Sequence, residues 1–344
     1  MAKKERSSAT SYEVTIGTQS FVQTKRDGVQ RLEIHDHVDM VTMLVIQLGG
    51  AEAQPEWNFK IGDPVECSMG KGETPIFKGE VTAIEPSYEV TGITSVTIRA
   101  MDHMHRLGRG RKTRFWSARL DSQVVEEVGA ECGLSVEVDG TNQIRGYILQ
   151  RNESNVAFLK RLAARNNFIL RVEMDALTFK KPTFEGATKQ VTMGQNLRAL
   201  RMAFNSVDQV QKVVVRGWDP KMKMEVEGSA VPGDLVKIGG GEYGATLSES
   251  FGESIAYVTD IPVSQQSQAT DLAKAELDRL ARQFCRGTAS IQGDEKVRAG
   301  SMVEFAGLSE GQNGKYFIIA TRHVISSRSG YTTELTFCSN TMGT

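Results

Sequence analysis

Four cysteines in 344 residues, Cys67, Cys132, Cys285 and Cys338, stand without any Cys-x-x-Cys spacing. That scarcity excludes a zinc ribbon and a secreted fold built on disulfides, and the four read as reduced, mostly buried thiols. No apolar run approaches the ~18 residues of a membrane span. Met1 to Ser11 is rich in Lys and Ser and holds no apolar stretch of the kind a secretory leader needs. The expectation is a chain made in the cytoplasm with a short flexible arm in front. Charge of one sign is also missing: 41 Lys and Arg against 42 Asp and Glu leave a net charge of −1, which gives no global reason to seek nucleic acid or an anionic membrane. Walker loops, Gly-x-Ser-x-Gly elbows, His-Glu-x-x-His pairs and Cys/His nucleophile arrangements are absent too. The expectation is a protein that is not an enzyme, with no cofactor and no metal.

What the chain has instead is a repeated β-meander. From Gly62 to Arg99 a Gly-x-x-Val-Glu start (Gly62 to Glu66) leads to Phe77-Lys78-Gly79 and the alternating run Val81-Thr82-Ala83-Ile84, then to Gly92 and Thr94 to Ile98. The same order returns at Gly300 to Glu304, Gly314-Lys315-Tyr316, Phe317 to Ala320, Gly330 and Thr333 to Phe337. Glycines supply the turns, and the period-2 apolar residues give each strand one buried face. Both copies read as small, strongly bent antiparallel barrels, and a duplicated chain suggests a protein with two equivalent faces.

Around these copies the pattern predicts strands at Val14 and Ile16, at Leu32 to Ile34, and at Met40 to Leu48, the last apolar enough for burial on both faces. A helix is predicted after Asp121-Ser122 as N-cap, with Val124, Val125, Val128 and Cys132 on one face and a stop at Gly133 backed by Leu134. A second helix starts at Ser154, with Val156, Leu159, Leu162 and Ala163 as its stripe, Phe158 on the flank, and an αL end at Asn166-Asn167. Phe168 to Val172 is paired with Leu177 to Phe179. A long loop with Gly239-Gly240-Gly241 and Gly244 reads as flexible, since no Lys-Ser/Thr pair accompanies it as a phosphate loop would need. A last helix is predicted near Thr270, carrying Ala273, Leu277, Leu280, Ala281 and Phe284. At this length two or three domains are expected. The division is a flexible arm at 1–11, a first β-barrel at 12–105, an α/β insertion domain at 106–199, and linker strands, long loop, helix and second β-barrel at 200–340.

Two features invite chemistry. Two His-x-His pairs, His35/His37 and His103/His105, sit beside Asp36, Asp39 and Asp102. On a strand, i and i+2 share a face, so each pair offers two imidazoles to a metal, although polar strand faces collect such residues freely. The segment Arg106 to Trp116 combines five basic residues with two aromatics, the composition of a single-strand nucleic-acid contact or of an electrostatic contact to an acidic protein. In a chain this close to neutral, nucleic acid is the less favoured partner.

Phe77-Lys78-Gly79-Glu80-Val81, Ile98 to Asp102 with Leu107 after it, Gln150 to Ser154 opening the Phe158 to Leu162 helix, Leu177-Thr178-Phe179 with Pro182, and Val215-Arg216-Gly217-Trp218-Asp219-Pro220 stand in one order and spacing. That order resembles the phage late control D family, the baseplate hubs of contractile tails, and the N-terminal hub of the type VI valine-glycine-repeat spike protein. The resemblance covers about Tyr12 to Phe337. It implies an α+β, mostly β fold: two small Tudor-like antiparallel barrels with an α/β insertion domain between them. It also implies a trimer that joins a hexameric tail tube protein to a trimeric spike protein within a baseplate, assembled from chains made in the bacterial cytoplasm. There are no catalytic residues to carry over. Fused spike proteins continue past the hub, whereas this chain ends in Ser339 to Thr344, so a separate spike polypeptide is expected. A small-barrel module that binds nucleic acid through Arg106 to Trp116 is the alternative, and a metal enzyme on the His-x-His pairs comes third.

Overall fold

The computed structural model describes residues 11–23, 28–49, 58–70, 74–88, 90, 94–186, 189–327 and 329–344. The arm read at 1–11, apart from Ser11, and the turn glycine Gly92 lie outside the described residues.

The first hundred residues form β1 (Tyr12–Ile16), β2 (Gln19–Val22), β3 (Val29–His37), β4 (Met43–Gly49), β5 (Pro64–Met69), β6 (Phe77–Tyr88) and β7 (Thr94–Met101). Their inward residues, among them Leu32, Ile34, Leu44, Ile46, Val65, Val81 and Ile98, make one aliphatic core. The double-sided burial expected of β4 is not found. Leu44, Ile46 and Leu48 are inside, while Met43 and Val45 are half-buried and Met40 is exposed, because the second face of β4 looks onto an open cleft shared with Met101 and Thr336.

The chain then builds a lobe from α1 (Met104–Leu107), β8 (Lys112–Arg119), α2 (Asp121–Glu131), β9 (Ser135–Val138), β10 (Arg145–Glu153), α3 (Asn155–Asn166), β11 (Ile169–Glu173) and β12 (Ala176–Lys180). β8 and β10 pair as a ribbon, and β11, β12 and β9 form a small sheet. Around them Val124, Val125, Val128, Phe158, Leu162, Leu170 and Phe179 close a separate core. The N-cap of α2 is Leu120 rather than Asp121 or Ser122, since the Asp121 carboxylate is drawn away by Arg165 and Asn166. Gly133 ends α2 with φ +75°, and the Leu134 N–H returns to the Gly129 carbonyl at 3.2 Å. Ser154 caps α3 by accepting from the Ala157 N–H, and Asn167 ends it in αL. Phe158 is fully buried at the centre of the α3 face and not on its flank, because its ring lies parallel to Trp116 at 5.2 Å. The β11–β12 turn falls at Met174 and Asp175, both with positive φ.

β13 (Lys189–Thr192) and β14 (Leu197–Phe204) return to the main sheet. A second lobe follows: β15 (Lys212–Asp219), β16 (Met224–Ala230), α4 (Gly244–Leu247), β17 (Ile255–Val258) and α5 (Gln266–Ala281). α5 begins at Gln266, earlier than the sequence pattern places it, and lies so close to β16 that a Cβ on Gly228 would stand 2.3 Å from the Thr270 nitrogen. Phe284 lies past the helix end, buried against Gly244. The chain closes with β18 (Cys285–Gln292), β19 (Met302–Ala306), β20 (Gly314–Ser326) and β21 (Gly330–Ser339).

Among the described residues one sheet of 13 strands runs in the order β14-β18-β21-β20-β3-β4-β7-β6-β5-β1-β2, with β19 on β20 and β13 on β19. The two barrels are therefore halves of one curled sheet, joined where β3 pairs with β20. The repeat is visible in the hydrogen bonding. Gly62 and Gly300, both with positive φ, donate to Val81 and Ile318 at 2.8 Å each. Val81 and Ile318 donate back to Asp63 and Ser301 at 2.9 Å each. A bulge interrupts β6 against β7 between Val81 and Ala83, and β20 against β21 between Ile318 and Ala320. Another interrupts β3 against β4 between Val29 and Arg31, and β14 against β18 between Leu197 and Ala199. Bulges mark one defined position in a strand, so their recurrence at matching places sets the equivalence residue by residue. The repeated unit is thus five strands, β3 to β7 and β14 with β18 to β21. The second copy is split after its first strand by the lobe of β15 to α5. Gly79 and Gly314, matched by the sequence pattern, are not equivalent: Gly79 pairs with Val65 where Tyr316 pairs with Val303.

Candidate functional site

The line where the two copies meet gathers charged residues from distant parts of the chain, and of those the sequence pattern singled out, His35, Asp36 and His37 lie on it. β3 runs antiparallel to β20 from His37 opposite Ala320 to Arg31 opposite Ser326. Arg322 bridges the line, reaching Glu33 at 2.9 Å and Glu334 at 3.1 Å. Burial pushes the Glu33 carboxyl up, but bonds from Arg31, Arg322 and His35 outweigh it, and the group lies below the usual carboxylate range.

One turn of β-pleat further, Asp36 is fully buried between Arg298, at 2.8 Å, and Arg171, at 3.2 Å. Its desolvation is more than offset by those two guanidiniums, so its pKa is lowered. Asp36 belongs to the first copy, Arg171 to the first lobe and Arg298 to the second copy. A buried carboxylate with two cations costs much to assemble and more to break. It ties three parts of the chain at one point. His323, from β20, lies wholly buried beside this group and bonds Tyr331 and Thr333 through Nδ1. Burial pulls its pKa down to about 4, so it sits there as the neutral imidazole.

The two His-x-His pairs take different places. His35 and His37 do share a face of β3, where His35 Nε2 meets Glu33 at 2.9 Å and His37 Nδ1 accepts from the Asp39 N–H at 3.1 Å. Burial lowers the His37 pKa and raises that of Asp39. His103 and His105 are not on a strand: β7 ends at Met101, His103 is the N-cap of α1 and His105 lies within it. There His103 pairs with Asp175 and lies 3.5 Å from Glu80, and Lys78 joins Asp175 at 2.5 Å. Asp102 accepts from Thr42 at 2.8 Å and Met104 at 3.0 Å, and burial pushes its pKa up to about 6. Among the described residues no three His, Cys, Asp or Glu side chains converge as metal ligands. His103 and Asp175, with Glu80 and Lys78 of β6, fasten the first lobe to that strand.

Four of the segment's five basic residues are spent on neighbours within the chain. Arg106 bonds Glu80 at 2.5 Å, Lys112 and Arg114 bond Glu131 at 3.2 and 2.6 Å, and Arg111 donates to the Asn152 carbonyl. Trp116 is in the lobe core, its indole N–H on Glu127 at 2.9 Å and Arg114 stacked over it at 4.7 Å. Phe115 alone of the two aromatics is exposed, lying on Tyr147. Charges held by neighbours and a buried indole do not make the open stacking groove that single strands require. The glycines at 239 to 241 are not a free loop: they lie against the last residues, with Gly239 donating to Thr341 at 3.1 Å and Gly241 to the Met342 carbonyl at 3.0 Å. Asn340, fully buried, accepts from Ile238 and donates to Val236.

A cleft of about 600 Å³ between α3, α5 and β20 is lined by Arg161, Arg165, Arg279 and Arg282. These are bound in turn to Glu153, Asp121, Glu276 and Asp278. Cys67, Cys285 and Cys338 are buried, and burial raises all three thiols, Cys285 to about 12 and Cys338 to about 11. At such values little thiolate forms, so they are inert. No helix among the described residues is long and apolar enough to cross a membrane.

The site sequence reasoning missed is the line between the copies, because its members, Glu33, Asp36, Arg171, Arg298 and Arg322, are scattered over the chain. The one local signal was the mixed charge on a strand otherwise made of Leu32 and Ile34.

A search of curated proteins gave no match. Among solved structures, the chain is similar to a 43 kDa tail protein of prophage MuSo2 from Shewanella oneidensis, at 13% identity and a TM-score of 0.73 over 96% of this chain and 98% of that one. It is similar to a tail protein from Neisseria meningitidis, at 12% identity and a TM-score of 0.72 over 96% of each. It is also similar to an E. coli component of the type VI secretion system, described as structurally similar to tail proteins of bacteriophage T4, at 13% identity and a TM-score of 0.64 over 95% and 76%. The fold is thus the one these tail and secretion proteins share. The family described as Alg8 N-terminal domain matches residues 10–327, nearly the whole chain, and the protein belongs to that family.

Proposed function

We propose that this protein is a structural hub of a contractile tail or injection particle. Three copies form a ring that joins a six-fold inner tube protein to a trimeric spike protein, among the other proteins of a baseplate. β3 to β7 within residues 12–105, and β14 with β18 to β21 at 197–204 and 285–339, supply the two ring units, while the lobes of α1 to β12 and of β15 to α5 lie beside them. The observation that carries this is the internal duplication, with the same glycine turn and the same two bulges in each half. Two like units per chain, three times over, offer six like edges, which is what a hexameric tube needs if its contacts are to repeat six times. The fold shared with tail and type VI secretion proteins supports it. So does a site made of ion pairs that fasten lobes to the sheet.

Light scattering at micromolar concentration tests it. A trimer is expected, with an interface on the order of 2,000 Å² or more buried per contact. In the structure of that trimer, β3 to β7 should superpose on β14 and β18 to β21 after a turn of about 60° about the three-fold axis. A monomer at that concentration overturns the reading, as does a trimer with one copy off the ring.

A further inference from the structure

The trimer reading leaves open which surfaces join one chain to the next, and the repeat answers it. Within the chain the copies meet as β3 against β20. The counterpart of β20 is β6, and the counterpart of β3 is β14. Among the described residues, the stretch 83–88 of β6 is paired on one side only, by β7, and the stretch 199–204 of β14 is paired on one side only, by β18. The two edges used inside the chain therefore recur, each without its mate, at the two ends of the duplicated sheet. Glu85, Pro86, Ser87 and Tyr88 are exposed on the one, and Ala199, Arg201 and Ala203 on the other. An uncovered edge strand is a template for another strand, and a protein that leaves one open generally has a partner for it.

We propose that β14 of one chain pairs antiparallel with residues 83–88 of β6 in a second copy, in the register of the internal line. This rests on the trimer reading and names its interface. Carrying the internal pairs of β3 and β20 through the repeat puts Tyr88 opposite Leu200, Ser87 opposite Arg201, Pro86 opposite Met202, Glu85 opposite Ala203, and Ile84 opposite Phe204.

Two observations beyond the free edges favour this occupant. The internal line is held by Arg322 on Glu33 at 2.9 Å, and the counterparts of that pair are Glu85 and Arg201, the same ion pair with its charges exchanged. Arg201 is exposed, and Glu85 already faces a cation, Arg99, at 2.8 Å. Second, Ile325 faces Leu32 across the internal line, both buried. Their counterparts are Tyr88, 80% exposed, and Leu200, half-buried. The apolar pair is present, and only the contact that would bury it is missing. Pro86 has no N–H, so at most one ladder bond is lost there, and a proline on the edge also discourages longer, unselective pairing. The contact is head-to-tail, so it generates a ring where the rotation closes.

The experiment uses the full chain with Glu85→Cys and Ala203→Cys together, since these positions lie directly opposite and a disulfide needs their Cβ atoms within about 4.5 Å. After mild oxidation a non-reducing gel is read alongside light scattering, with each single variant as control. The expected result is a covalent species of up to three chains, formed at least tenfold more than in either single variant. A trimer that cross-links no more than the controls overturns the strand pairing and leaves the trimer reading standing. A monomer without cross-link overturns both. Cross-linked species growing beyond three chains support the strand pairing and overturn the closed ring. Arg201→Glu should weaken self-association at least tenfold while leaving the melting temperature of the separated chain unchanged. Unaltered association would remove the ion pair from the interface.

Discussion

The two copies share backbone register down to their bulges, yet they fill their cores in opposite ways. Where the second copy has Phe305, Tyr316 and Phe337, mutually packed with ring centroids 5.0 to 5.4 Å apart, the first has Cys67, Gly79 and Ala100 at the equivalent pairing positions. The first copy compensates with Phe77, whose ring tip lies 2.8 Å from where a Cβ on Gly79 would stand. The place held by Phe77 is held in the second copy by Gly314. Volume has moved from one position to a neighbour while the backbone stayed. Interiors are packed to a fixed density, so a duplicated backbone tolerates any side-chain set that fills the same space.

The largest test of this comparison is Phe337→Ala. It removes one of three interlocked, buried rings, and a loss of about 3–5 kcal/mol in urea unfolding is expected. Ala100→Phe, the reverse change at the matching place, should cost about 1–3 kcal/mol through overpacking against Phe77. If Phe337→Ala costs under about 1 kcal/mol, the second core is not packed as a ring cluster and the contrast fails.

This contrast also explains what the sequence showed and what it hid. The duplicated segment was legible through Gly62 and Gly300 and the Val-Glu pairs after them, because a positive φ and a strand start are local demands that survive core exchange. The first strand of each unit was not, since β3 carries Glu33 and Asp36 where β14 carries Arg201 and Phe204. Nothing in composition joins those two strands. The helices α2 and α3 were legible for the same local reasons, Gly133 and Asn167 at their ends and Ser154 at a start. Asp121 misled because a carboxylate at a helix start looks like a cap until the arginines that claim it, 44 residues on in the case of Arg165, are placed beside it. The same limit hid the destination of Arg106 to Trp116, whose partners Glu80, Glu131 and Gln150 come from other elements.

Acid separates the two copies a second way. His323 sits in the internal line, and its counterpart at the open edge is Pro86, which does not titrate. The folded pKa of His323, about 4, lies below the ordinary value of 6.5. The folded state therefore binds fewer protons than the unfolded, and stability falls as pH drops from about 6.5 to about 4. With each unit worth ~1.4 kcal/mol, the loss approaches ~3 kcal/mol. Asp102 acts in the reverse sense: its folded pKa of about 6 lies above the ordinary 3.8, so stability rises as pH drops from about 6 to about 4. The two slopes oppose one another in the native chain. His323→Gln should remove the first slope and leave those of Asp102 and of His37, whose pKa burial lowers, so that the variant loses less stability than the native chain as pH is lowered from 7 to 5. Urea midpoints at pH 7, 6 and 5 measure this, and a variant that loses stability over that range as steeply as the native chain would remove His323 from the account.

The smallest expected effect compares the ion pair inside the line with the one at the open edge. Glu33 is largely covered and accepts from Arg322 through two nitrogens, at 3.0 and 2.9 Å. Glu85, at the open edge, holds Arg99 through 2.8 and 3.3 Å contacts with both side chains well exposed. Charged pairs screened by solvent contribute about 0–1 kcal/mol, and covered ones more, because less of the field leaks into water. Double-mutant cycles in which each partner is replaced by its uncharged analogue, Glu33→Gln with Arg322→Gln and Glu85→Gln with Arg99→Gln, should therefore return a coupling of about 1–2 kcal/mol for the first pair and a clearly smaller one for the second, measured below the concentration at which chains associate. Raising the salt should erase the second and only trim the first. Equal couplings would mean that the line between the copies is as wet as the edge, and the two edges would then differ in pairing alone.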